Sequence, residues 1–186
     1  MSRFRLSYDF ANRGYLKSVG PMIKARWQLT PEAEASRLHV PPPVKGFMVV
    51  DTGFVGIGID SDVAQELDLQ PFGTTKVQGI ETDITRTTYS ALLLMMLGNV
   101  DGEDLAIGGT IEAVCIPKFR SAYDSYGLVT PEGAPLSVIG VLGRTFLQFT
   151  KFGYDGLNGC WDMEIDVNAM SAFASTRENV AGLRNH

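Results

Sequence analysis

The chain has 186 residues, of which 45% are hydrophobic and 20% are charged, and its formal net charge is -5. This composition is typical of a globular protein that buries a core, and the acidic balance provides no basic field to attract nucleic acid. Cys115 and Cys160 lie far apart and the histidines are His39 and His186, so the sequence predicts neither a metal site nor a cofactor.

The first 37 residues mix basic, aromatic and small residues without a sustained period. We therefore expect an N-terminal extension over 1–37, outside the core, with a short helix where Pro31 follows a capping Thr30. Residues 1–9 contain no apolar h-region of a signal peptide, and the apolar run 92–97 is too short to span a bilayer. These features favour a cytoplasmic protein without a membrane partner.

From residue 38 the pattern becomes that of β-strands. Apolar residues at 38–40 and 44–50 flank three prolines, which predicts two strands of a hairpin joined by a proline turn. The second strand runs directly into Asp51, Thr52 and Gly53, a sequence that carries a carboxylate out of a core on a tight turn. Asp51 is therefore the first candidate for catalysis.

The next elements are a short strand at 54–59 and a short helix at 63–69, preceded by the cap-type residues 60–62. Residues 74–97 predict a β-hairpin with a polar turn at 79–83 and a long second arm, and 113–116 predicts a buried strand that ends at Pro117. The loop 118–135 could line a cleft or be a variable surface excursion, and the general behaviour of loops favours the excursion.

A second apolar strand, 136–142, reaches Gly143 and turns into a short helix. Asp51-Thr52-Gly53 followed much later by Val141-Leu142-Gly143-Arg144 resembles the two-part signature of the retropepsin-like aspartic proteases. The resemblance covers 38–166 and implies an all-β fold, a closed β-barrel with one or two short helices that works as a two-fold dimer. A C-terminal tail, 167–186, has apolar residues at roughly helical spacing.

The resemblance also implies a peptide hydrolase. Hydrolysis by carboxylates needs one ionised and one protonated group, but the chain carries a single Asp-Thr-Gly, so Asp51 of each subunit of a homodimer would supply one. Thr52 would hydrogen-bond across the dimer axis, and Gly53 would admit the backbone of a peptide substrate. Gly143 and Arg144 would form the scaffold of the second motif. The flap over the substrate would include Gly79, Ile80, Glu81 and Thr82.

Two departures from the resemblance keep an alternative open. The viral enzymes carry an acidic partner for the arginine of the second motif shortly after the catalytic turn, whereas Phe54, Val55 and Gly56 follow Gly53 here. The expected flap tip also lacks a glycine-rich sequence. The alternative function is therefore a catalytically inactive peptide-binding or dimerisation module with the same fold.

Overall fold

The computed structural model describes residues 3–9, 16, 20–78, 83–100, 103–129 and 133–170. Its strands are β1 (Arg3–Asp9), β2 (Met22–Gln28), β3 (Val44–Val50), β4 (Ile57–Asp60), β5 (Pro71–Gln78), β6 (Asp83–Val100), β7 (Glu103–Ile116), β8 (Val138–Leu142), β9 (Thr150–Asp155) and β10 (Cys160–Asp166). Its short helices are α1 (Pro31–Ala35), α2 (Ser61–Glu66), α3 (Phe119–Asp124) and α4 (Arg144–Leu147).

Most of the strands form a closed barrel. The larger sheet has the order β2-β3-β8-β4-β7-β6-β5, and β2 also pairs with β6. This second pairing closes six strands into a barrel and leaves β5 beside β6, outside the ring. A smaller antiparallel sheet has the order β1-β10-β9. The prediction of an all-β barrel with few short helices is therefore confirmed at this level.

The strand that closes the barrel comes from the segment expected to be an extension. In β2, Ile23, Ala25 and Trp27 are buried in the core, and the strand pairs with β3 on one side and β6 on the other. The expectation that 1–37 lies outside the core therefore does not describe β2. The alternation of buried residues with Lys24 and Arg26 is the period-two pattern of a strand with one face in the core.

The predicted hairpin between 38–40 and 44–50 is wrong. Residues 38–40 form no strand, Leu38 is fully exposed, and β3 pairs instead with β2 and β8. The prolines at 41–43 have no N–H to donate to a ladder, so the segment crosses the surface without pairing. β3 itself ends where predicted, directly before Asp51.

Two predicted caps are present. Thr30 accepts a hydrogen bond from Ala33 N at 3.3 Å and begins α1, with Pro31 as its first residue. Asp60 caps α2 in the same manner. The hairpin with a long second arm is also present, as β5 and the 18-residue strand β6. The limits of the predicted domains at 38–166 and 167–186 stay a prediction.

Candidate active site

Asp51 projects from the end of β3 on a turn that its own side chain stabilises. Its Oδ1 accepts a hydrogen bond from Gly53 N at 2.7 Å, and its carbonyl oxygen accepts one from Phe54 N at 3.3 Å. Its backbone N–H donates to Leu142 O at 3.0 Å. The residue is exposed. The turn thus holds one carboxylate oxygen in place and leaves the group accessible.

The second predicted motif braces this turn through backbone hydrogen bonds. Residues 143–145 donate to the carbonyl oxygens of 54–56. The bonds run from Gly143 N to Gly56 O at 3.0 Å, from Arg144 N to Phe54 O at 2.8 Å and from Thr145 N to Val55 O at 2.8 Å. The Thr145 hydroxyl adds a further bond to Val55 O, at 2.7 Å. The two short motifs, distant in sequence, therefore form one unit.

The strands on either side explain why the motifs meet. β8 lies between β3, to which it is parallel, and β4, to which it is antiparallel, so the chain from β3 to β4 passes around the end of β8. Gly143 stands at this end, where a Cβ atom would collide with the carbonyl oxygens of Phe54 and Gly56. Glycine is therefore required for the close approach of the two backbones.

Asp51 lines a cleft of about 230 Å³ whose wall is mostly apolar. The residues that line it are Asp51, Phe54, Val77, Arg86, Val114, Cys115, Ile116, Phe119 and Val141. Val77 and Arg86 belong to the two arms of the β5–β6 hairpin. The arms thus contribute to the cleft, whereas the predicted flap residues Gly79, Ile80, Glu81 and Thr82 lie outside the described residues.

Helix α3 forms another part of the cleft. Phe119 lines it, and Tyr123 on the same helix packs edge-on against Phe119, with ring centroids 5.0 Å apart. The pKa of Tyr123 is raised by burial and, secondarily, by the negative charges of Asp51 and Tyr126. Sequence reasoning favoured a variable surface excursion for 118–135 over a segment that lines a cleft. The position of α3 agrees instead with the segment that lines a cleft.

Asp60, which sequence reasoning recognised only as a helix cap, also positions a helix that lines the cleft. It is completely buried, and its Oδ1 accepts from Asp62 N at 2.8 Å and Val63 N at 3.3 Å. Its Oδ2 accepts from Arg120 N in α3 at 2.9 Å. One carboxylate therefore ties α2 to the helix that carries Phe119. No local sequence pattern signals this link, because it joins residues 60 positions apart.

The remaining predicted site residues are exposed. Thr52 lies on the surface of the turn, and its predicted hydrogen bond across a dimer axis stays a prediction. The Arg144 side chain is also exposed and forms no ion pair within the described part of the chain. Its contribution to the site is the backbone N–H that donates to Phe54 O.

Cys115 is a half-buried thiol in the wall of the cleft. Burial raises its pKa and the nearby charge of Asp60 adds to that effect, while the guanidinium of Arg86 lowers it.

Within the described ranges, no three His, Cys, Asp or Glu side chains gather as a metal site would require. No helix among the residues described is long and apolar enough to cross a membrane.

No model of a protein family matches the chain, and a search of curated proteins finds no match either. The function is therefore argued from the geometry of the cleft and its carboxylate.

Proposed function

We propose that the protein is a homodimeric aspartic endopeptidase in which Asp51 of each subunit contributes one catalytic carboxylate. The observation that supports this most is the turn itself. It carries an exposed carboxylate, oriented by Gly53 N, and residues 143–145 hold the loop through backbone hydrogen bonds. A rigid turn suits catalysis because a reacting group must hold its geometry to within a fraction of an ångström.

The proposed chemistry needs two such turns facing each other across a two-fold axis. Two carboxylates that close cannot both ionise readily, so in this proposal the pair shares one proton. The ionised carboxylate takes a proton from water, and the protonated one donates a hydrogen bond to the peptide carbonyl oxygen. The exposure of Asp51 on a single chain leaves it accessible to a second copy.

The walls of the cleft suit apolar side chains of a peptide substrate. Six of its lining residues are apolar, which favours substrates with apolar side chains. In this proposal the hairpin of β5 and β6 lies over the substrate and excludes water, and Thr52 hydrogen-bonds across the axis. The proposal includes no cofactor. Its partners are a second copy of the chain and a protein or peptide substrate, in the cytoplasm.

The second candidate is a catalytically inactive peptide-binding or dimerisation module. The exposed Arg144 side chain favours it, because this residue forms no ion pair within the part of the chain that the structure describes. A module of this kind would use the same cleft and the same apolar wall, and it would not depend on the charge of Asp51.

The deciding experiment is cleavage of a mixed peptide library at about pH 4 to 7.5 by the wild type and by Asp51→Asn. Asp51→Asn keeps the shape of the side chain and an oxygen for Gly53 N, so a folding defect is not expected. The proposal expects cleavage by the wild type alone. Equal cleavage by both proteins, or a strictly monomeric active protein in sedimentation, would refute it.

Mixing the two proteins tests the paired carboxylates directly. If the active unit needs Asp51 from both subunits, refolding wild type with an equal amount of Asp51→Asn leaves about a quarter of the dimers active, by random association of subunits. If each subunit acts alone, the mixture keeps about half of the activity of the same total amount of wild type, and not a quarter. The second result would contradict the dimeric mechanism even if Asp51 proved essential.

A further inference from the structure

Arg86 places a positive charge in a cleft whose wall is otherwise mostly apolar. It stands on β6 opposite Thr75 of β5 and is half-buried. Its charge reaches across to β7, where it lowers the pKa of Cys115 against the larger effect of burial. Arg86 and Asp51 line the same cleft.

The guanidinium of Arg86 is not engaged by an acidic side chain in the described part of the molecule. Ion pairs in that part of the molecule join Arg37 to Asp68 and Arg120 to Glu66, and neither includes a residue that lines the cleft. Asp51 and Arg86 do not form an ion pair with each other, so the carboxylate remains available for its proposed chemistry.

A half-buried cation with apolar neighbours attracts an anion more strongly than a fully solvated one does, because fewer water molecules screen the charge. The planar guanidinium matches a carboxylate in particular, since it can donate two parallel hydrogen bonds. The apolar residues around Arg86 suit the apolar side chains that would flank such a carboxylate in a peptide.

We propose that Arg86 is a specificity-determining residue that selects peptides with a glutamate or aspartate side chain beside apolar residues. This inference rests on the proposed function, because it assigns a substrate class to the same cleft. Arg86 and Asp51 line the same cleft, and an extended peptide advances by about 3.3 Å per residue, so the acidic residue lies close along the peptide to the bond above Asp51.

Fluorescein-labelled octapeptides of Val, Ile, Ser and Gly, with one scanned position carrying Glu, Gln or Lys, provide the test. Binding is measured by fluorescence anisotropy with the Asp51→Asn protein, which is expected to hold peptides without cleaving them. Cleavage is measured with protein that retains Asp51. Each is repeated with Arg86→Gln, with Arg86→Glu and with the control Lys76→Gln. Lys76 is an exposed cation on the neighbouring strand, paired with Thr85, and does not line the cleft.

At the best position, the Glu peptide should bind about tenfold more tightly than the Gln peptide, as expected for one charge-assisted hydrogen-bonded pair. Arg86→Gln should reduce this ratio to about one, Arg86→Glu should shift the preference toward Lys, and Lys76→Gln should retain the ratio. A Glu-to-Gln ratio unchanged by Arg86→Gln would overturn the inference.

The outcomes separate this inference from the proposed function. Cleavage that depends on Asp51 but shows no preference for Glu overturns the inference alone. A preference for Glu that depends on Arg86, without any cleavage, supports the carboxylate subsite and refutes the peptidase. Failure of every peptide to bind overturns both.

Discussion

Replacing Asp60 by alanine should destabilise the protein more than most single substitutions, because it removes a buried carboxylate that satisfies three backbone N–H groups. Two of these groups begin α2, and the third is Arg120 N of α3. Asp60 is completely buried, so water cannot readily replace its oxygens. The substitution therefore perturbs both helices through one side chain.

The magnitude follows from the bonds lost. Loss of an N-terminal cap costs about 1 kcal/mol, and a backbone N–H left without an acceptor, here that of Arg120, costs about 1–3 kcal/mol. The free energy of unfolding should therefore fall by about 2–4 kcal/mol, and Tm by about 5–15 °C for a chain of this length. Asp60→Asn keeps one acceptor oxygen, so its loss should be intermediate, about 1–2 kcal/mol.

Urea and thermal unfolding, followed by far-UV circular dichroism, measure these losses. The matched control is Asp62→Ala, two residues further along the chain, whose carboxylate accepts a hydrogen bond from the Ser61 hydroxyl at 3.3 Å. This single, partly buried interaction is worth about 1 kcal/mol or less. Equal losses for Asp60→Ala and Asp62→Ala, or an unchanged Tm for Asp60→Ala, would refute the reasoning that Asp60 joins the two helices.

The other predictions concern the carboxylate, its brace and the thiol. Asp51→Asn should reduce peptide cleavage by about 100-fold or more while shifting the free energy of unfolding by less than about 0.5 kcal/mol, because the residue is exposed; parallel cleavage assays and melts check this. Gly143→Ala should lower the free energy of unfolding by about 1–3 kcal/mol and reduce cleavage, because the added Cβ collides with the turn. Gly109→Ala, where a Cβ meets nothing within 4 Å, should change cleavage little. Equal effects of the two substitutions would contradict the conclusion that residues 143–145 hold the turn. The raised pKa of Cys115 predicts slower iodoacetamide labelling at mildly alkaline pH in the folded than in the urea-unfolded protein, measured by mass spectrometry, and still slower labelling in Arg86→Gln. Since the folded thiol holds its proton more tightly, its contribution to stability is complete below the ordinary thiol pKa and is lost as pH rises through the folded value.

The centre of the site could be predicted because its signals are local. An apolar strand that runs into Asp51 predicts a carboxylate at a strand end, and Gly143 after a second apolar strand predicts a close backbone approach. The structure joins the two by hydrogen bonds from 143–145 to 54–56. Whether this unit performs the predicted hydrolysis stays a prediction.

What the sequence did not provide depends on contacts between distant residues. Trp27 lies in the core because β2 pairs with both β3 and β6, and the register that places it opposite Leu93 has no local signature. Phe119 reaches the cleft because Asp60 holds α3 from far along the chain. Arg86 enters the cleft only once β6 and β7 are paired within the closed barrel. Periodicity reports which face of a strand is apolar, not which strand will cover it.

The dual pairing of β2 bears on how the chain can be shortened. A shortened chain beginning at residue 38, where the predicted domain starts, would lack the strand that joins β3 to β6. Both of those strands would then present unpaired N–H and C=O groups along open edges, and the pocket left by Trp27 would expose the core. Open edges pair with other chains, so this shortened protein should aggregate, and soluble expression should require residues from at least the start of β2.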